Sequence, residues 1–109
     1  MEIDNEGMWL GGKTKYAITM ECQGFDMNED DWRVTVSRGP KKVVFTPQNA
    51  VYEEGEGNKP GQWYICLDSR ELGPGKCYIT FEALVPDDDF EDGIRNEIMR
   101  YELININSL

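Results

Sequence analysis

Between residues 62 and 85 the chain alternates twice between apolar and polar positions. Trp63, Ile65 and Leu67 stand against Tyr64 and Cys66. After a polar connection, Cys77, Ile79, Phe81, Ala83 and Val85 stand against Lys76, Tyr78, Thr80, Glu82 and Leu84. A period of two is the signature of a strand with one buried face. The connection contains Leu72-Gly73-Pro74-Gly75, so the two runs predict an antiparallel β-hairpin. Matching their apolar faces sets a register, with Trp63 opposite Phe81, Ile65 opposite Ile79 and Leu67 opposite Cys77. Cys66 then falls opposite Tyr78 and cannot bridge to Cys77, because a one-residue slip would turn a whole apolar face outward.

The same register sends Tyr64, Cys66, Tyr78 and Leu84 to the outer face. That set is more apolar than a solvated strand needs. Cover by another segment of the chain is one account, and a partner surface is another. A carbohydrate platform built on the tyrosines is a third.

The rest of the chain continues the pattern. Tyr16, Ile18, Met20 and Cys22 share one face of a strand over 15–23. Trp32, Val34 and Val36 share a face over 32–37, and Arg38-Gly39-Pro40-Lys41 marks a turn into a short antiparallel return over 42–46. Val51-Tyr52 suits a brief edge pairing, and 53–61 reads as a polar loop. Over 94–106 helical and strand periods compete: Ile94, Ile98 and Tyr101 fit a helix, whereas Ile104 and Ile106 alternating with Asn105 and Asn107 favour a strand whose parity shifts at a bulge. Residues 1–12 read as a flexible lead-in pinned by Trp9. Six or seven short strands over 13–109, with turns between and no firm helix, predict a single immunoglobulin-like antiparallel β-sandwich.

Composition narrows the function classes. A chain of 109 residues with 39% apolar content, three Trp, five Tyr and four Phe forms one domain with a real core. It contains no His, which removes the commonest metal ligand and general base and argues against an enzyme. No catalytic set or cofactor motif is legible. The formal charge of −10 opposes nucleic acid and anionic membrane; it fits solubility or a basic protein partner. No apolar run reaches the length of a membrane span. Three cysteines and an acidic opening without a secretory apolar core fit reduced thiols and a cytoplasmic site of synthesis. In the run 87–93, Asp87, Asp89 and Glu91 resemble the start of a calcium loop. The EF-hand pattern then fails, with Asp92 where glycine belongs and Ile98 where the bidentate glutamate belongs. A solvated turn is the simpler account, and no metal is expected.

Three blocks carry a resemblance: 13–19 leading through Gly24-Phe25-Asp26-Met27 into 31–36, Gly61-Gln62-Trp63-Tyr64-Ile65 with Leu72-Gly73-Pro74-Gly75, and 85–95. The layout over 13–106 resembles small β-sandwich proteins of phage and prophage structural clusters. It is similar in plan to the N-terminal domain of phage baseplate upper proteins. The resemblance implies a non-enzymatic structural or adaptor protein, located in the cytoplasm of the producing cell or in the virion. Its partners would be other phage structural proteins or a second copy of itself. Baseplate proteins continue into coiled or trimeric regions where this sequence stops at Leu109, which favours an adaptor or decoration protein over a fibre carrier. A carbohydrate- or calcium-binding module is the alternative. The residues expected at a partner surface are Tyr64, Cys66, Tyr78, Leu84 and Trp9.

Overall fold

A strand with one apolar face needs a second apolar surface to bury against, and the chain provides it by dividing its strands between two sheets. The computed structural model describes residues 7–108. In chain order the elements are β1 (Met8–Trp9), β2 (Lys13–Ile18), β3 (Trp32–Arg38), β4 (Lys41–Phe45), β5 (Val51–Glu53), β6 (Gln62–Asp68), α1 (Ser69–Leu72), β7 (Gly75–Pro86) and β8 (Ile94–Asn107). A five-stranded sheet runs β1-β8-β7-β3-β4, and a three-stranded sheet runs β2-β6-β5. The chain is a β-sandwich, as its alternation predicts. Among the described residues it has eight strands rather than six or seven, and β7 and β8 are long, at 12 and 14 residues.

The hairpin expected from 62–85 does not form. β6 pairs with β2 and β5, while β7 pairs with β3 and β8. Both apolar faces point inward, but they face one another across the core instead of lying side by side. The connection explains the difference. Asp68 caps α1 by accepting from the Arg70 N–H, and Gly73, at φ 82°, closes it with an N–H bond to the Ser69 carbonyl. One helical turn closed by a glycine at positive φ carries the chain from one sheet to the other. The conclusion drawn for the cysteines stands on other grounds: Cys22, Cys66 and Cys77 are all free, Cys66 is exposed and Cys77 is buried.

The other expectations fare better. β3 and β4 form the predicted antiparallel pair, with Val34 opposite Phe45 and Val36 opposite Val43. Val51–Glu53 is an edge strand. The ambiguous segment is a strand, and it carries the bulge. Lys76 pairs with Asn105 and Tyr78 with Glu102, so Leu103 and Ile104 together oppose Cys77. The extra residue flips parity and turns Ile106 inward, where it is 2% exposed. The strand expected over 15–23 is displaced, because β2 begins at Lys13 and stops at Ile18. Met20 is nonetheless buried, as its parity predicts.

Val34, Val36, Ile65, Cys77 and Val85 have no exposed surface. Burying each aliphatic side chain is worth about 1.5–3 kcal/mol. Trp32 of one sheet meets Trp63 of the other edge-to-face, with centroids 5.1 Å apart and planes at 83°. Within the expected lead-in, β1 pairs parallel to β8 through Met8 with Ile106 and Trp9 with Asn107. Met8 packs on the core, whereas the Trp9 side chain stays exposed, so the contact is made by Met8 and the backbone. Residues 1–6 of the lead-in lie outside the described residues.

Candidate functional site

The division into two sheets separates residues that the predicted hairpin placed together. Tyr64 and Cys66 lie on the outer face of the three-stranded sheet, opposite Ala17 and Lys15. Lys15 sits over the Tyr64 ring at 5.0 Å and also pairs with Glu53, whose carboxylate pushes the Lys15 pKa up. Tyr78 and Leu84 lie on the outer face of the five-stranded sheet, opposite Glu102 and Asn96. Trp9 is at the β1 edge. The five residues therefore belong to three surfaces.

The outer face of the five-stranded sheet exposes several large aliphatic side chains. Leu84 is 56% exposed, and its diagonal neighbours on β8, Ile94 and Ile98, are 46% and 59% exposed. Large aliphatic side chains this exposed on adjacent registers form a patch rather than isolated surface residues. Its rim is charged. Arg33 pairs with Glu82 at 2.6 Å, and the Arg100 guanidinium lies 4.2 Å from the Tyr78 ring centre. A shallow depression of about 370 Å³ lies alongside Leu84, lined by Asp31, Trp32, Arg33, Glu82 and Asn96 among others. Leu84 was legible from the sequence as an outward residue. Ile94 and Ile98 were not, because their facing depends on β8 being a strand in a particular register with β7.

A second feature emerges only in three dimensions. Ile18 pairs with Trp63, Trp32 with Ala83 and Pro86 with Ile94, which brings the loops 19–31, 54–61 and 87–93 to one end of the sandwich. The first holds five acidic residues, the second two and Lys59, and the third five. Together they carry −11, so the remainder of the chain sums to +1 against a total of −10. Among the described residues, the opposite end carries Lys13, Arg38, Lys41, Arg70 and Lys76 against Asp68 and Glu71.

Arg95 fastens the acidic end. Its guanidinium donates to Asp87, Glu97 and the Gln23 carbonyl, joining two of the loops. The Asp89 backbone N–H and then Arg95 hold the Asp87 carboxyl below the usual aspartate range. Asp87 is thus engaged within its own turn, and among the described residues no three acidic or thiol side chains converge as a cation site would require.

At the same end, Tyr52 and Trp63 are 5.1 Å apart and tilted by 51°. They border a cleft of about 310 Å³ that also contains Phe25, Asn28 and Gln62. The Trp63 indole N–H is held by Asn28 at 2.8 Å, and that of Trp32 by the Met27 carbonyl at 2.9 Å. No known family model, curated protein or solved structure matches the chain. Burial raises the pKa of the Cys77 thiol, which makes it a packing group rather than a nucleophile. No helix among the described residues is long and apolar enough to cross a membrane.

Proposed function

We propose that this chain is a non-enzymatic structural or adaptor protein of a phage-like particle, acting through protein–protein contacts. The observation that carries the reading is the outer face of the five-stranded sheet, where Leu84, Ile94 and Ile98 are exposed together inside a charged rim. Protein contacts favour an apolar centre with a polar border. Tyr78 belongs to this face. Tyr64 with Cys66, and Trp9, fall on two other surfaces and would serve further neighbours in an assembly.

The strand order supports an immunoglobulin-like plan for this domain. Lettered from β2 as B, the sheets read G-F-C-C′ for β8-β7-β3-β4 and B-E-D for β2-β6-β5. The core tryptophan Trp32 then falls on strand C. Such sandwiches host many functions, so the plan adds nothing about the partner. The test is co-purification with the structural proteins encoded beside it. Wild type should be retained by one of them, and Leu84→Asp should lose that retention while melting normally. A chain that binds none of them at any ratio would count heavily against the proposal.

A carbohydrate-binding module is the second reading, favoured by the cleft beside Tyr52 and Trp63 with Asn28 and Gln62 at its lip. A glycan array separates the two: a hit abolished by Tyr52→Ala would favour this alternative. Its calcium form is weaker, since Asp87 already holds Arg95.

A further inference from the structure

Exposed sheet edges invite pairing with another chain, and proteins blunt them with short strands, lysines, prolines or covering groups. Three of the four edges here are guarded. β5 has three residues. β2 carries Lys13 and Lys15 on its six. β4 begins Lys41-Lys42, and the Asn49 side chain donates to its Val44 carbonyl.

The β8 edge differs. The strand runs for 14 residues, and among the described residues only Met8 and Trp9 pair along its free side, at Ile106 and Asn107. None of the side-chain hydrogen bonds described reaches its backbone between Arg95 and Asn105. It contains no lysine or proline. Its bulge lies beyond Glu102, so the register with β7 is unbroken from Ile94 to Glu102. Among the described residues, that leaves nine regular residues with one side unpaired.

We propose that this edge pairs with the β8 edge of a second copy, antiparallel about a two-fold axis at Ile98. An isologous contact requires a self-complementary surface. A register centred on Ile98 spans the regular run from end to end. It sets Ile98 against itself, Arg95 against Tyr101, Asn96 against Arg100, Glu97 against Met99 and Ile94 against Glu102, so no like charges oppose one another. Centring on Glu97 or Arg100 would oppose like charges at the axis, and centring on Tyr101 would run into the bulge. Ile98, 59% exposed in the single chain, gains a partner at the axis. The two five-stranded sheets then join into one. The inference goes beyond the phage-like reading but shares Ile98 with its apolar patch: a monomeric wild type would refute the pairing, whereas Leu84→Asp, on β7 away from the edge, tests the contacts with other proteins.

Sedimentation and light scattering at about 100 µM, where a micromolar Kd leaves dimer dominant, should give twice the chain mass. Ile98→Lys should return the mass to that of a monomer with unchanged melting. In a Cys66→Ser background, Ile98→Cys should form an intermolecular disulfide on mild oxidation, because directly opposed Cα atoms lie about 4.5–5.5 Å apart. Asn96→Cys should not, since its mate lies four residues along the partner strand, roughly 14 Å away. A wild-type monomer at that concentration, a dimer that survives Ile98→Lys, or cross-linking through residue 96 instead of 98 would each overturn the proposal. So would a chain that dimerises only after removal of residues 1–6, which would mean that its own terminus takes the edge.

Discussion

Lys15→Cys tests the arrangement of the two sheets through a single substitution. Lys15 lies directly opposite Cys66 in the β2–β6 pair, and both are exposed. Opposed Cα atoms in an antiparallel pair fall within disulfide range. The new bond would close a loop of about 51 residues, for which the chain-entropy relation gives ~4 kcal/mol. Losing the exposed contacts of Lys15 with Glu53 and Tyr64 subtracts little. A realised gain of about 2–4 kcal/mol corresponds to roughly 10–17 °C in Tm for a domain of this size. Thiol titration should find two free cysteines after mild oxidation, and the Tm gain should vanish with reductant. The control is Tyr78→Cys, which a β6–β7 hairpin would place against Cys66 and the sandwich places on the opposite outer face. If oxidation links Cys66 to the thiol introduced by Tyr78→Cys and leaves Lys15→Cys unlinked, the two-sheet arrangement is refuted.

Ser69 is 1% exposed, and its hydroxyl accepts the Gly11 N–H at 2.8 Å. Ser69→Ala should therefore cost about 1–3 kcal/mol in urea unfolding and speed amide exchange first at residues 9–12; equal exchange there would show that the hydroxyl does not hold that segment. A double-mutant cycle of Trp32→Leu with Trp63→Leu should give a coupling of about 0.5–1.5 kcal/mol, and additive losses would deny the edge-to-face contact a role. The depressed Asp87 pKa means that its contribution is full above the ordinary aspartate value of about 3.9 and is lost as pH falls through the lower folded value. Asp87→Asn should flatten the acid limb of a pH–Tm curve in that window, and an unchanged limb would contradict the linkage.

Much of this fold was legible because alternation fixes facing. β3, β4 and β5 appear where their apolar positions put them, and the parity shift at Ile104 and Ile106 announced the bulge opposite Cys77. What alternation cannot encode is which strand lies beside which. An inward Ile65 looks the same whether it neighbours Ile79 in one sheet or faces another sheet across the core. The deciding signal is local: Asp68 followed by Glu71, with Gly73 next but one, is a helix start and stop in miniature. The Gly-Pro-Gly turn chemistry beside it masks that signal. The candidate surface shares that fate. Leu84 is found by parity, but its companions Ile94 and Ile98 require a register that only the folded sheet supplies, and Tyr64 and Cys66 go to the other side.

The gathering of acidic loops at one end means that the charge of −10 does not act as an even cloud. The molecule is 51 Å long, whereas salt at physiological strength screens charge within about 8 Å. Its two ends are therefore electrostatically deaf to each other, and the protein should behave on charged resins as two objects. An anion exchanger should grip the acidic tip more tightly than the net charge implies.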